Sequence, residues 1–306
     1  MGTSVSQIGD RLYLIDAMMW GVPERLACYY YDTPEPVLVE CGPSLTLPHL
    51  VDALVELGID DIATLLVTHI HLDHAGAAGH LARRYSHARI GVHERGARHL
   101  SSPGRLLASA ERIYGEEGMR ELWGSMLPID EGRLLVLDEG DRVPLGGGET
   151  LDVLYTPGHA KHHVVFHDGV RGGMYVGDAV GVAFPHGHFV QPNTPPPDLD
   201  PPLLVRQLHR MAERNPTFLG FAHYGVHDDP ATALMEAEDR LDEWVRFVEA
   251  LGESDPDVAS DRLREWTIAG YRESGVPEDV ISEYASGTFW PMQATGILRW
   301  LSLRDR

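Results

Sequence analysis

Apolar and polar positions trade places in short runs over the first forty residues. Residues 12–15, Ala27–Tyr31 and residues 37–40 read as three strands separated by turns that carry Gly and Pro. The period then lengthens. Leu50, Leu54 and Leu57 recur at helical spacing, so a helix is predicted over 45–57, with Ser44 placed to cap it. Residues 63–67 form a short, partly β-branched apolar run bounded by Gly58 and Asp60, the mark of a buried strand. A helix follows over 75–85 despite two glycines, then a strand at Arg89–His93 and a short helix over 94–100.

Residues 103–127 read as a mostly helical insertion, whose apolar positions belong to a core and whose outer side offers one wall of a cleft. Leu134–Leu137, residues 150–155 and residues 163–166 are expected in a second sheet, and residues 174–178 form a strand ending in a carboxylate. Asp200 before Pro201 and Pro202 starts a helix to about Arg214, residues 216–222 make a strand, and Asp229-Pro230 starts a helix to about Leu251. Between them, residues 181–202 are proline-rich and without period. So long a loop in a compact unit is usually functional, and Phe184, Phe189 and Val190 suit a wall or lid better than a solvated linker. After a polar break at 252–257, residues 258–306 are helical and carry Trp266, Tyr271, Tyr284, Trp290 and Trp300. So short a piece needs a surface to cover, either the unit formed by residues 1–251 or a second copy of the chain in a homodimer.

Composition narrows the picture. The 306 residues carry a formal net charge of −21, a surface that repels polyanions and argues against nucleic acid as a partner. No apolar stretch approaches a membrane span, and the first residues lack the basic and apolar blocks of a signal peptide, so a cytoplasmic protein with a small-molecule substrate and no membrane contact is expected. Cys28 and Cys41 fall in candidate strands and suggest no disulfide framework. Histidine, at 17 residues, is unusually frequent.

The histidines concentrate where the buried strand over 63–67 ends. His69, His71, Asp73 and His74 place four potential metal ligands within six residues, on a strand-to-helix turn. His69 and His71 point the same way on extended chain, whereas Asp73 and His74 follow the turn and aim elsewhere. Two donor groups with different aims suit two neighbouring ions, and imidazole with carboxylate suits zinc first, with manganese or iron accepting the same donors.

The run Thr68-His69-Ile70-His71-Leu72-Asp73-His74-Ala75-Gly76 resembles the signature of the metallo-β-lactamase superfamily. Three later pieces follow in that family's order: Thr156-Pro157-Gly158-His159, Gly177-Asp178-Ala179 and Phe221-Ala222-His223-Tyr224-Gly225. The similarity covers roughly residues 10–250. It implies an α+β fold, an αββα sandwich of two mixed sheets flanked by helices, with the C-terminal helices as an extension. It also implies His69, His71 and His159 on one ion, Asp73, His74 and His223 on a second, and Asp178 bridging them. Glu40 occupies the place where relatives often carry Asp, just before Gly42, and is expected to be supporting or structural and not a ligand. Lys161, His162 and His163 read as surface or strand-start residues, and His186 and His188 have ligand spacing but no further partner nearby.

In that resemblance two divalent ions about 3.5–4 Å apart share a hydroxide, the water's pKa being lowered toward about 7, and the hydroxide attacks an activated carbonyl. Asp73 orients the nucleophile or carries its proton, and Tyr224 is a candidate donor to the substrate oxyanion. Neither cysteine lies at a ligand position, unlike many antibiotic-hydrolysing zinc enzymes. Flavodiiron oxidoreductases carry Glu where this chain has His71. The glyoxalase II and lactonase branch remains, with hydrolysis of an ester, lactone or thioester. No basic pocket for glutathione is recognisable. Alternatives are a mononuclear iron dioxygenase acting on a thiol or persulfide, and a non-catalytic metal-binding module.

Overall fold

The computed structural model describes residues 4–185 and 189–304, so His186 and His188 lie outside the described residues. The first sheet holds β1 (Val5–Gly9), β2 (Leu12–Asp16), β3 (Ala27–Tyr31), β4 (Val37–Val39), β5 (Thr64–Leu66), β6 (Arg89–His93) and β7 (Leu134–Leu137), side by side in chain order. Strands β1 to β4 form an antiparallel meander, and β4 to β7 run parallel. Their crossovers carry α1 (Leu47–Glu56), α2 (Leu72–Ala75), α3 (Ala78–Arg84), α4 (Glu94–Ser101) and α5 (Gly104–Gly118). The second sheet holds β8 (Arg142–Gly146), β9 (Glu149–Tyr155), β10 (Val164–Asp168), β11 (Gly173–Gly177), β12 (Phe218–Phe221) and β13 (Gly225–His227) in the order β13-β12-β11-β10-β9-β8. There β11 and β12 are parallel, joined by a crossover containing α6 (Pro201–Ala212). Next come α7 (Pro230–Leu251), α8 (Pro256–Glu273), α9 (Glu278–Gly287) and α10 (Trp290–Arg304).

Period-two alternation explains why the strands are apolar on both faces. Tyr29 and Tyr31 of β3 point between the sheets with Val39, Phe166 and Tyr175, whereas Cys28 and Tyr30 point outward toward the helices on the first sheet. Val165 of β10 and Met174 and Val176 of β11 point outward on the other side, under Leu204, Leu208, Leu241 and Trp244 of α6 and α7. The expected αββα sandwich is therefore built from three apolar layers. Ala294 and Ile297 of α10, with Ala259 and Leu263 of α8, share the layer under α7. Asp200 and Asp229 cap α6 and α7 by accepting from Leu203 N–H and Thr232 N–H, each with proline in the first turn, as the sequence pattern predicts. Among the described residues no helix is long and apolar enough to cross a membrane.

Several elements differ from expectation. Leu134–Leu137 lies at the edge of the first sheet, not in the second, because it returns parallel to β6 in the register Ile90↔Leu134. The second sheet starts instead at β8, where Pro144 argues against a strand; the proline is tolerated because β8 is the sheet edge. The helix over 75–85 is two pieces, parted at Gly76 and Ala77. Ser44 does not cap α1, whose first turn follows Thr46. Its hydroxyl donates to Trp123 C=O and accepts from Ser125 N–H, tying the insertion to the turn before α1. Phe184 and Phe189 are buried against the C-terminal helices, with Phe189 stacked 4.3 Å from Tyr284 and Phe184 5.0 Å from it, so this half of the 181–202 loop is core.

Candidate metal centre

Every candidate ligand stands at or just beyond the end of a strand. His69 lies three residues past β5, His71 immediately precedes the single turn α2, and Asp73 and His74 belong to that turn. His159 follows β9, where Gly158, at φ 139°, makes the sharp turn that a side chain would obstruct. Asp178 directly follows β11 and His223 follows β12.

The seven side chains come together in two groups that share Asp178. In each group the donor atoms all lie within 4.8 Å of one another: His69, His71, His159 and Asp178 in one, Asp73, His74, His223 and Asp178 in the other. In the first, His71 Nδ1 is 2.9 Å from His69 Nε2 and 3.3 Å from His159 Nε2, and Asp178 Oδ2 is 3.5 Å from His159 Nε2. In the second, Asp178 Oδ1 is 3.3 Å from His74 Nε2, and Asp73 Oδ2 is 3.5 Å from His223 Nε2. Tetrahedral donors at about 2.1 Å from zinc sit roughly 3.4 Å from one another, which these separations straddle. Two atoms in the second group, His74 Nε2 and Asp178 Oδ1, are buried and have no hydrogen-bond partner among the described residues. Buried polar atoms are rarely left so, and a cation between them satisfies both. The residues fit a pair of divalent ions.

Outer contacts fix which nitrogen faces inward. The Nδ1–H groups of His159 and His223 donate to the carbonyls of Asn193 (3.1 Å) and Arg25 (2.9 Å), and His74 Nδ1–H donates to Glu40 Oε2 (3.1 Å). Each of these rings thus presents an Nε2 lone pair. Glu40 stands at an αL backbone (φ 68°) and also accepts from Thr68 N–H and the Thr68 hydroxyl.

Electrostatics divides the groups. Burial, helped by the neighbouring imidazoles, holds His69 well below the usual histidine range, and burial with His159 pulls His71 down to about 4. For His74 burial acts the same way, but Asp178, Glu40 and Asp73 outweigh it and raise its pKa well above the usual value. Burial would raise Asp73, yet His74 and the hydrogen bond to His223 bring it down to about 2. Burial would raise Asp178 too, yet His74, His159 and His223 hold it well below the usual carboxylate range.

Three contributors carry no sequence signal that singles them out. His163 directly precedes β10, as expected, but it is fully buried. Asp178 N–H donates to its Nε2, while its Nδ1–H donates to the Thr156 hydroxyl, so a neutral imidazole pins the backbone of the shared carboxylate. Asn193, from the proline-rich loop, donates its side-chain N–H to Asp178 Oδ2 at 2.7 Å. Tyr114 of α5 lies near enough to Asp73 that the carboxylate, added to burial, raises its pKa. Lys161 is exposed and paired with Asp198, and His162 stacks 6.1 Å from His69. Tyr224 sits at the seam between the inter-sheet core and the aromatic cluster around Phe184. After burial, the carboxylates that act on its phenol are Asp16 and Glu24.

Comparison with known proteins agrees with this architecture. The family description "Metallo-beta-lactamase superfamily" matches residues 24–241. The metallo-beta-lactamase fold-containing protein ST1585 of Sulfurisphaera tokodaii is 31% identical over 201 residues, 62% of this chain and 72% of that protein. A hydroxyacylglutathione hydrolase of a Synechococcus strain is 26% identical over 49% of this chain, which spans 45% of that relative's length. Among solved structures, the metallo-beta-lactamase family protein TTHA1429 from Thermus thermophilus shares the fold at a TM-score of 0.74 and 23% identity, covering 98% of this chain and 95% of its own. The superfamily consists mostly of hydrolytic metalloenzymes. By sequence and by fold, this chain belongs to the metallo-β-lactamase superfamily.

Proposed function

We propose that the chain is a dinuclear, metal-dependent hydrolase of a small-molecule ester, lactone or thioester, with zinc best fitting its donors. The observation that carries this reading is the placement of Asp178, whose Oδ2 is turned to one group of histidines and Oδ1 to the other. His69, His71 and His159 would hold one ion, Asp73, His74 and His223 the second, and Asp178 both. When bound, such a pair supplies an acidified water and a Lewis-acidic pole for a carbonyl oxygen.

The protein's own part is orientation and exclusion of water. Asp73 is 21% exposed at its side chain, so reactants reach the centre from its side, and as an ionised carboxylate it accepts a hydrogen bond from the attacking water. On that side Tyr114 packs 5.0 Å from Trp123 and 5.3 Å from Phe289, and Trp123 lies 6.0 Å from Trp20. Four aromatic rings from separated parts of the chain thus offer an apolar face to an acyl or alkyl group. The Tyr114 hydroxyl makes no hydrogen bond among the described residues and is a donor available to a substrate oxygen. The kinship with a hydroxyacylglutathione hydrolase supports acyl hydrolysis as the reaction class. A net charge of −21 disfavours nucleic acid as substrate.

The test is a panel of aryl esters, thioesters and lactones of increasing acyl length, with a β-lactam and a phosphodiester for contrast. Hydrolysis of at least one acyl class is expected, with KM falling as the apolar chain grows, abolished by a chelator and restored by zinc. Turnover that ignores chelation, or that is confined to the phosphodiester or the β-lactam, would remove the proposal.

A further inference from the structure

The C-terminal extension touches the metal centre through two side-chain amides. Gln293, 5% exposed on α10, donates from Nε2 to Asn193 Oδ1 at 3.0 Å, and Asn193 Nδ2 donates to Asp178 Oδ2 at 2.7 Å. We infer that Gln293 is a positioning residue, which acts through Asn193 to hold the Asp178 carboxylate in the orientation that serves both halves of the site. The inference rests on the reading of Asp178 as a shared ligand.

Amide orientations are set by their surroundings, and here one obligate donor sets the whole chain. The Thr194 backbone N–H can only donate, and it donates to Gln293 Oε1, which also accepts from the Thr194 hydroxyl at 3.0 Å. Gln293 Nε2 must therefore face Asn193 Oδ1, and Asn193 must present its N–H to Asp178. The carbonyl of the same Asn193 accepts from His159 Nδ1. One residue thus fixes a histidine of the first group and the carboxylate common to both. A carboxylate oxygen has two lone pairs, so Oδ2 accepts this hydrogen bond and still faces the first group.

The approach of α10 is close enough to make the relay rigid. A Cβ on Gly296 would lie 1.9 Å from the Thr194 carbonyl oxygen, and Arg299 Nε donates to Pro197 C=O at 3.1 Å. Gln293, Gly296 and Arg299 are spaced by three and share one helix face. That face holds residues 193–197 from beginning to end.

Gln293→Glu keeps the acceptor for Thr194 and removes the donor. Asn193 is then drawn to turn its N–H toward the new carboxylate and its oxygen toward Asp178, where two oxygens repel. Zinc affinity of the full chain, by competition with a chromophoric chelator, is expected to fall about 10- to 100-fold for at least one ion, the usual effect of losing an outer-shell partner. The thermal midpoint of the metal-free protein serves as the folding control, and Gln293→Met replaces Gln293→Glu if the charge prevents folding. Asn193→Ser is expected to weaken zinc binding likewise, and the double variant no more than Asn193→Ser alone, because both break one chain. Wild-type zinc affinity in a folded Gln293 variant, or losses that multiply in the double variant, would overturn the inference. A wild-type chain that takes up no zinc would instead strike the ligand reading beneath it, and the inference would fall with it.

Discussion

Asp178→Ala is expected to release at least one of two metal ions and to cut hydrolysis by more than about a hundredfold, beyond the range typical of losing an outer-shell contact. The carboxylate is 1% exposed, with Oδ2 3.8 Å from His69 Nε2 and 3.5 Å from His159 Nε2, and Oδ1 3.3 Å from His74 Nε2 and 3.8 Å from His223 Nε2. Without it each group keeps three donors, but nothing negative stands between the cations. Two divalent charges repel with roughly four times the energy of unit charges at the same distance. The alanine variant should bind the first ion more weakly and the second hardly at all. Metal per chain and the steady-state rate on the best panel substrate check this together. Two equivalents retained at wild-type affinity would refute the bridging role.

The second large effect is expected at Glu40, which stands outside both donor groups. Its carboxylate is buried and accepts from Thr68 N–H at 3.2 Å, from the Thr68 hydroxyl and from His74 Nδ1 at 3.1 Å. Glu40→Ala leaves a buried backbone N–H unpaired and frees the His74 ring to rotate. An unsatisfied buried donor costs about 1–3 kcal/mol, and breaking a buried charged pair about 3–5 kcal/mol, so a loss of about 3 kcal/mol or more is expected. Zinc affinity should drop about 10- to 100-fold as His74 loses its bearing. Denaturant unfolding of the metal-free chain and chelator competition read the two effects separately. Glu40→Gln, which retains one acceptor oxygen, should recover part of each, and an alanine variant unchanged in both would show that Thr68 and His74 are held by other means.

What can be read from the chain alone depends on how local the cause is. The ligand cluster is legible because its donors sit within a few residues of a buried strand and its later members each follow a strand, so backbone geometry alone brings them to one edge. The starts of α6 and α7 are legible for the same reason, since Asp200 and Asp229 cap their own helices. Leu134–Leu137 is not, because its sheet is chosen by a parallel partner some 44 positions earlier, Ile90, and a short, half-exposed strand carries no mark of that choice. Neither is the role of Asn193, which needs α10 beside it, nor that of His163, whose value comes from one backbone N–H on another strand. Phe184 and Phe189 are legible as buried, but what buries them lies about a hundred residues away. Local chemistry is written locally; support from distant elements appears only when the chain is folded.

Whether this centre holds two ions is read most simply from metal content per chain, by mass spectrometry on protein purified without added metal. Close to two equivalents of a divalent metal, zinc foremost, are expected, with activity lost and regained in step with them. A single equivalent of iron, undiminished when Asp73 or His74 is replaced, would rule out the two-ion centre.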